Sequence, residues 1–179
     1  LRIAGTGRHD HLRDAIGHGR KFKWEQQVES SVAPDARIVY EPVGVVAAIT
    51  PWNVPYMLMT NKVAPALVAG CTMIMKPSPE TPLEAYIIAE CAQEAGLPPG
   101  VINLVLADRE AADHLMRNPL IDKVAFTGST AVGRQIGQVC AEQVRRCSLE
   151  LGGKSAAIVL DDMSDEEVAG ILTGAITTL

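Results

Sequence analysis

The chain has 179 residues, 47% of them hydrophobic and 21% charged, with a formal net charge of −5. That is enough chain for one domain with a real core, and its apolar and charged content is that of a globular protein. The negative balance excludes a global basic face, so nucleic acid is not an expected partner, and no apolar run reaches membrane-spanning length, the longest being Val43 to Ile49 and Val63 to Val68.

The chain starts at Leu1 and shows no signal-peptide pattern, so a cytoplasmic setting is expected. Cys71, Cys91, Cys140 and Cys147 show no Cys-x-x-Cys pair and no metal spacing; each stands in an apolar context and reads as a small hydrophobe. His9-Asp10-His11 holds two near-adjacent histidines in a polar segment, read as solvated surface, so no metal is expected.

In chain order, residues 10–16 read as a short helix that Gly17 to Gly19 breaks. Residues 36–40 read as a strand ended by Glu41-Pro42. Val43 to Ile49 is an almost unbroken apolar run, hence a strand buried on both faces. Two prolines stiffen the loop Thr50-Pro51-Trp52-Asn53-Val54-Pro55. Residues 56–69 follow as a helix, with Pro65 predicting a kink or a restart and Gly70 the stop. Thr72 to Met75 is a second buried strand, and Lys76-Pro77-Ser78-Pro79 a rigid loop. Thr81 and Pro82 have the types of a helix cap and first residue, the helix running to about Ala95. After the Gly96 to Gly100 turn, Val101 to Leu106 is a third strand, and Asp108 caps a helix to Arg117. Asp122 to Phe126 is a fourth strand, Arg146 to Leu151 a fifth and Ala156 to Leu160 a sixth. Asp162 or Ser164 caps a last helix. Strands alternating with helices predict an α/β fold, a parallel sheet with helices on both faces, in which ligands bind at the carboxyl ends of the strands.

Four loop motifs carry candidate chemistry. At Phe126-Thr127-Gly128-Ser129-Thr130-Ala131-Val132-Gly133 a strand turns into a helix, with Val132, Ile136, Val139 and Cys140 at helical spacing. Free N–H groups at that helix N-terminus, with a glycine beside them, suit a phosphate; an ordinary Ser/Thr cap fits the same residues. The Asn53 amide could donate to an oxyanion or bond local backbone. Lys76, at a strand end, could bond ribose hydroxyls or a phosphate, or reach solvent. Glu150 stands among Leu149, Leu151, Gly152 and Gly153; apolar neighbours suit a general base, and Lys154, Arg145 or Arg146 could instead pair with it.

Taken together and in this order, Ile49-Thr50-Pro51-Trp52-Asn53, Met75-Lys76-Pro77-Ser78, Phe126-Thr127-Gly128-Ser129 and Leu149-Glu150-Leu151-Gly152-Gly153-Lys154-Ser155 resemble the aldehyde dehydrogenase superfamily, from about Glu41 onward. The resemblance implies a Rossmann-like cofactor domain and an oxidoreductase that converts an aldehyde or semialdehyde to a carboxylic acid with NAD or NADP. It makes Asn53 the oxyanion donor and Glu150 the general base. It places Ile49, Thr50, Pro51, Trp52, Lys76, Ser78, Gly128, Ser129, Gly133 and Leu151 at the cofactor. Residues 1–40 then lead into the domain, 41–150 form most of it, and 151–179 begin a catalytic domain. Where many members have a ribose-binding glutamate after Lys-Pro-Ser, this chain has Pro79, with Glu80 one place later; losing that carboxylate removes a repulsion against a 2′-phosphate. None of the four cysteines stands in the family's nucleophile motif, so the chain is expected to be an internal piece, inactive alone, of an enzyme that is a homo-oligomer. The alternative is a catalytically inactive nucleotide-binding module or partner chain.

Overall fold

The computed structural model describes residues 10–154, 156 and 158–177. Five strands form one all-parallel sheet: β3 (Val45–Ile49), β4 (Thr72–Lys76), β5 (Ile102–Leu104), β6 (Lys123–Gly128) and β7 (Arg146–Leu151), in spatial order β5-β4-β3-β6-β7. The side-chain period of two splits the central strand between two cores. Val46 and Ala48 meet Met59, Val63, Met73 and Met75 beneath α2 (Pro55–Val68) and α3 (Leu83–Glu94). Ala47 and Ile49 meet Met116, Val124, Phe126 and Ile136 beneath α4 (Arg109–Arg117) and α5 (Thr130–Glu142). Helices thus cover both faces, as the alternation of elements predicts.

The N-terminal part differs from expectation. Helix α1 (Asp10–Lys21) runs straight through Gly17 and Gly19. Gly19 is where α1 meets α2: a Cβ there would stand 2.2 Å from Val68 Cγ1, so the glycine permits a close helix crossing instead of ending the helix. A strand not predicted, β1 (Glu25–Gln27), pairs antiparallel with β2 (Arg37–Val39). Glu-Gln-Gln has no apolar alternation to reveal it. The ribbon is held by its backbone ladder, an exposed Arg37–Glu25 ion pair, and Phe22 packed on Trp24 and Tyr40 with ring centroids 4.7 and 5.0 Å apart. His9 lies outside the described residues, as does Ala157.

Further corrections follow from packing. Helix α2 neither stops nor restarts at Pro65, because burial of Met59, Val63 and Ala64 outweighs one lost backbone bond. Thr81 does not cap α3; its hydroxyl donates to the Trp52 carbonyl at 3.4 Å, and Pro82 occupies the cap position. Residues 156 and 158–160 form no strand. Ile158 and Leu160 are exposed, and no neighbouring strand pairs with them among the described residues, so their apolar run lacks the ladder that would make it one. Cys71 and Cys140 are buried, as small hydrophobes in apolar contexts would be, whereas Cys91 and Cys147 are exposed.

Two caps match expectation: Asp108 Oδ1 accepts from Ala111 N at 2.9 Å, and Ser164 opens α6 (Asp165–Thr177) in a reciprocal box with Glu167. No helix among the described residues is long and apolar enough to cross a membrane.

The turn from α5 into β7 holds Val144 at φ 51°, the left-handed region, with its side chain almost fully exposed. A β-branched residue there is strained by roughly 1–2 kcal/mol, while glycine costs about 0.5–1 kcal/mol in unfolded-state entropy. Val144→Gly should therefore raise the urea midpoint of unfolding, by about 0.5–1 kcal/mol in stability. A midpoint at or below that of the unmodified chain would show that the strain is not there.

Candidate functional site

The parallel register brings the four motif loops to one sheet edge. Ile49 lies opposite Lys76 and Phe126, Thr127 opposite Glu150, and Gly128 opposite Leu151. Beyond these strand ends opens a cleft of about 890 Å³ in which Trp52, Asn53, Ser129, Glu150 and Leu151 meet. A second groove of about 950 Å³ runs between α4 and α5, lined by Ile49, Phe126 and Met116. Ser129 borders both.

Asn53 is exposed, and its amide bonds no backbone group among the described residues, so local capping is not what holds it. Trp52 is 62% exposed and fills no core; it stands as a wall of the cleft. Glu150 points to the α2 side of β7 and Cys147 to the α5 side, as the strand alternation requires. Glu150 is exposed, so the apolar surroundings that its neighbours in sequence suggest are not around it. The basic residues proposed to pair with it do not. Arg145 donates instead to the carbonyls of Met116 and Asn118.

The cation that Glu150 does face is Lys62, which the sequence reading missed. Lys62 Nζ donates to Thr127 Oγ1 at 2.7 Å. Its burial pushes the ammonium pKa below the ordinary lysine value, and the negative charge of Glu150 opposes that shift. A signal was present: Lys62 is the only charged residue in α2, two turns after Pro55, on the side of Leu58 that lines the cleft.

Ser129 caps α5, its Oγ accepting from Val132 N at 3.4 Å, which leaves the remaining N–H groups of the first turn aimed at the strand edge. Gly133 is buried in the first turn of α5, and a Cβ on it would stand 2.3 Å from Leu151 Cδ2, so it lets α5 sit close to β7 at that edge. Lys76 is buried at the end of β4 and donates to the Pro77 carbonyl at 2.9 Å instead of reaching solvent. Burial lowers its pKa, with Glu80 and Asp108 opposing. Ser78 Oγ donates to the Glu80 carboxylate, and that bond is the main reason the Glu80 pKa lies below the ordinary value. Thr50 is buried at the same edge, and its hydroxyl has no partner among the described residues. Pro51 follows it and lines the cleft. Among the described residues no group of three or more histidine, cysteine or acidic side chains could hold a metal ion.

Comparison with known proteins gives a consistent result. The profile of the aldehyde dehydrogenase family matches residues 6–178. Geranial dehydrogenase of Castellaniella defragrans is 60% identical over 122 residues, covering 68% of this chain and 26% of that protein. The NADP(+) succinate-semialdehyde dehydrogenase of Escherichia coli is 48% identical over 137 residues, covering 75% of this chain and 28% of that protein. Among solved structures, the Mycobacterium tuberculosis aldehyde dehydrogenase complexed with NAD+ superimposes with a TM-score of 0.84 at 46% identity, covering 90% of this chain and 33% of that one. The chain thus spans about a third or less of the length of these relatives.

The Lys62 environment makes a testable statement about pH. Its folded pKa lies below its unfolded one, so between the two the unfolded chain binds more protons and stability rises with pH; below the folded pKa the buried charge costs stability. Titration of the Lys62 side chain by NMR should give a midpoint below 10.5, the ordinary lysine value. Glu150→Gln should lower that midpoint further, because it removes the charge that favours the ammonium. Lys62→Met should flatten the rise of stability at alkaline pH. An unchanged midpoint in Glu150→Gln would show that the two groups do not interact.

Proposed function

Because this chain belongs to the aldehyde dehydrogenase family, we propose that it carries the nucleotide site, the oxyanion donor and the general base of an NAD(P)-dependent enzyme that oxidises an aldehyde to a carboxylic acid. The observation that carries this reading is that Asn53 and Glu150, 97 positions apart in sequence, line one cleft beside the Gly128-Ser129 turn.

The residues at the strand edge fit a dinucleotide. Two recesses meet at Ser129, one per nucleotide half. The first-turn N–H groups of α5 and its helix dipole favour the pyrophosphate between them. The buried, unpartnered Thr50 hydroxyl suits a polar ligand. Lys76 and Ser78 would hold the adenine ribose, with Ile49 and Pro51 along the same edge, and Leu151 would lie against the nicotinamide. When bound, that ring takes the hydride leaving the substrate carbon.

The rest is the work of this chain. The Asn53 amide donates to the oxygen that gains charge as a thiolate adds to the aldehyde carbonyl. Glu150 takes the proton of the water that attacks the resulting thioester, so that carbon–oxygen bond formation releases the acid and the thiolate. Lys62 faces Glu150 across the same cleft. The thiolate comes from elsewhere: none of Cys71, Cys91, Cys140 or Cys147 lines the cleft. This favours the second reading for the chain alone, a nucleotide-binding module without turnover. Support for a boundary near Leu151 comes from the sheet, whose last strand ends there before residues 152–154 leave it. The relatives include enzymes named for geranial and for succinate semialdehyde, which supports an aldehyde substrate without choosing among them.

In the whole protein, Asn53→Ala should slow the first-turnover burst of reduced nucleotide by on the order of a hundredfold, the loss of one oxyanion donor. Glu150→Gln should keep much of the burst while steady turnover falls, because the acyl-enzyme accumulates. Rapid-mixing kinetics decides: an unimpaired Asn53→Ala burst or full steady turnover in Glu150→Gln would overturn the assignment. The 179-residue chain alone should bind nucleotide and give no steady reduction of it with any aldehyde. Pro79→Glu should shift the ratio of kcat/KM for NADP and NAD toward NAD; an unchanged ratio would remove Pro79 from the account of nucleotide choice.

A further inference from the structure

Helix α5 and strand β7 run antiparallel and face each other in rungs. At the first rung Gly133 admits Leu151, and at the second a Cβ on Gly137 would stand 3.9 Å from Leu149 Cδ1. Three or four helical residues at about 1.5 Å each keep rough pace with two strand residues at about 3.3 Å each. The next rung in that stepping is Cys140 with Cys147, which brings the two side chains together at the open end of the α5–β7 pair, near enough for Cys147 to raise the Cys140 pKa.

The connection between them is short and fixed. Arg145 N donates to the Cys140 carbonyl at 2.7 Å, and Val144 N to the Ala141 carbonyl at 3.1 Å, which folds the chain back beside the end of the helix. The two sulfurs differ in access: Cys140 is 1% exposed and belongs to the core, whereas Cys147 is open to solvent at the start of an edge strand. Neither lines the cleft described above, and Cys147 faces away from Glu150.

We propose that Cys140 and Cys147 form a redox-modification site, in which hydroperoxides oxidise the exposed Cys147 and the buried Cys140 closes the intramolecular disulfide. In the first step the Cys147 thiolate attacks the terminal oxygen of the hydroperoxide. The O–O bond breaks, the alcohol or water leaves, and Cys147 becomes a sulfenic acid. In the second, the Cys140 sulfur attacks the sulfenic sulfur, its proton leaves with the hydroxyl as water, and the S–S bond forms. Burial and the neighbouring Cys147 keep Cys140 protonated beforehand, which sets the order of events. The bond would tie the end of α5 to the start of β7, the two elements whose other ends carry Ser129 and Glu150. This inference is independent of the nucleotide reading.

The test is direct, because Arg145 and Arg146 lie between the two cysteines and trypsin separates them. The full chain is treated with hydrogen peroxide while folded, then denatured, alkylated and digested. The expected product joins the peptide 135–145 to the peptide 147–154, with two hydrogens lost. In Cys140→Ser, sulfenic acid should accumulate at Cys147 and be trapped by dimedone several-fold more than in the unmodified chain. In Cys147→Ser, a near-isosteric change at an exposed site, Cys140 should keep its thiol. Recovery of both thiols, over-oxidation of Cys147 without the joined peptide, or disulfides between chains through Cys91 would each overturn the proposal.

Discussion

The parallel pairing of β6 with β7 sets Thr127 opposite Glu150, and most of the candidate site depends on that register. A shift of one residue would turn Glu150 toward α5 and Leu149 toward α2, exchanging a charged group for an apolar one on both faces. The register is held by burial. Val124 and Phe126 are locked in the core under α4 and α5, with Leu149 packed against the same cluster. Asp122 adds a fixed point at the other end of the sheet, where its Oδ2 accepts from Val45 N at 2.7 Å. Gly44 admits that carboxylate: its φ is 109° and a Cβ there would stand 2.1 Å from Asp122 Oδ2.

The same edge collects charge in an unusual way. Lys62 and Lys76 both have their pKa lowered by burial, and each is offset by acidic side chains contributed from other parts of the chain. Glu150 opposes the shift at Lys62, and Glu80 and Asp108 oppose it at Lys76. Lys76 at the end of β4 and Lys62 of α2 beside the end of β6, together with the positive end of α5 that follows β6, make an edge suited to an anionic ligand that spans several strands. An ordinary solvated lysine would add little there, because water would screen it.

Glycine does different work at neighbouring positions of one motif. Gly128 ends β6 at the turn, whereas Gly133 is buried against Leu151 and sets the separation of α5 from β7. Thr127, Gly128 and Ser129 line the cleft, whereas Phe126 and Gly133, at the two ends of the motif, are buried.

By itself the sequence determined the elements whose signal is local. Buried strands such as Val45–Ile49 show as apolar runs, and the caps at Asp108 and Ser129 show as residue types before helical spacing. It also determined the family, because four motifs in order are specific where one is not. Tertiary structure alone decided what depends on contact between distant segments. Gly19 continues a helix because Val68 lies across from it, and Pro65 is carried because its helix is buried. Residues 158–160 are not a strand because nothing described pairs with them. Lys62, unremarked in sequence, meets Glu150 because the sheet register and α2 bring together residues 88 positions apart. Propensity and spacing act over a few residues, while desolvation and pairing are properties of the packed chain, and no local pattern encodes them.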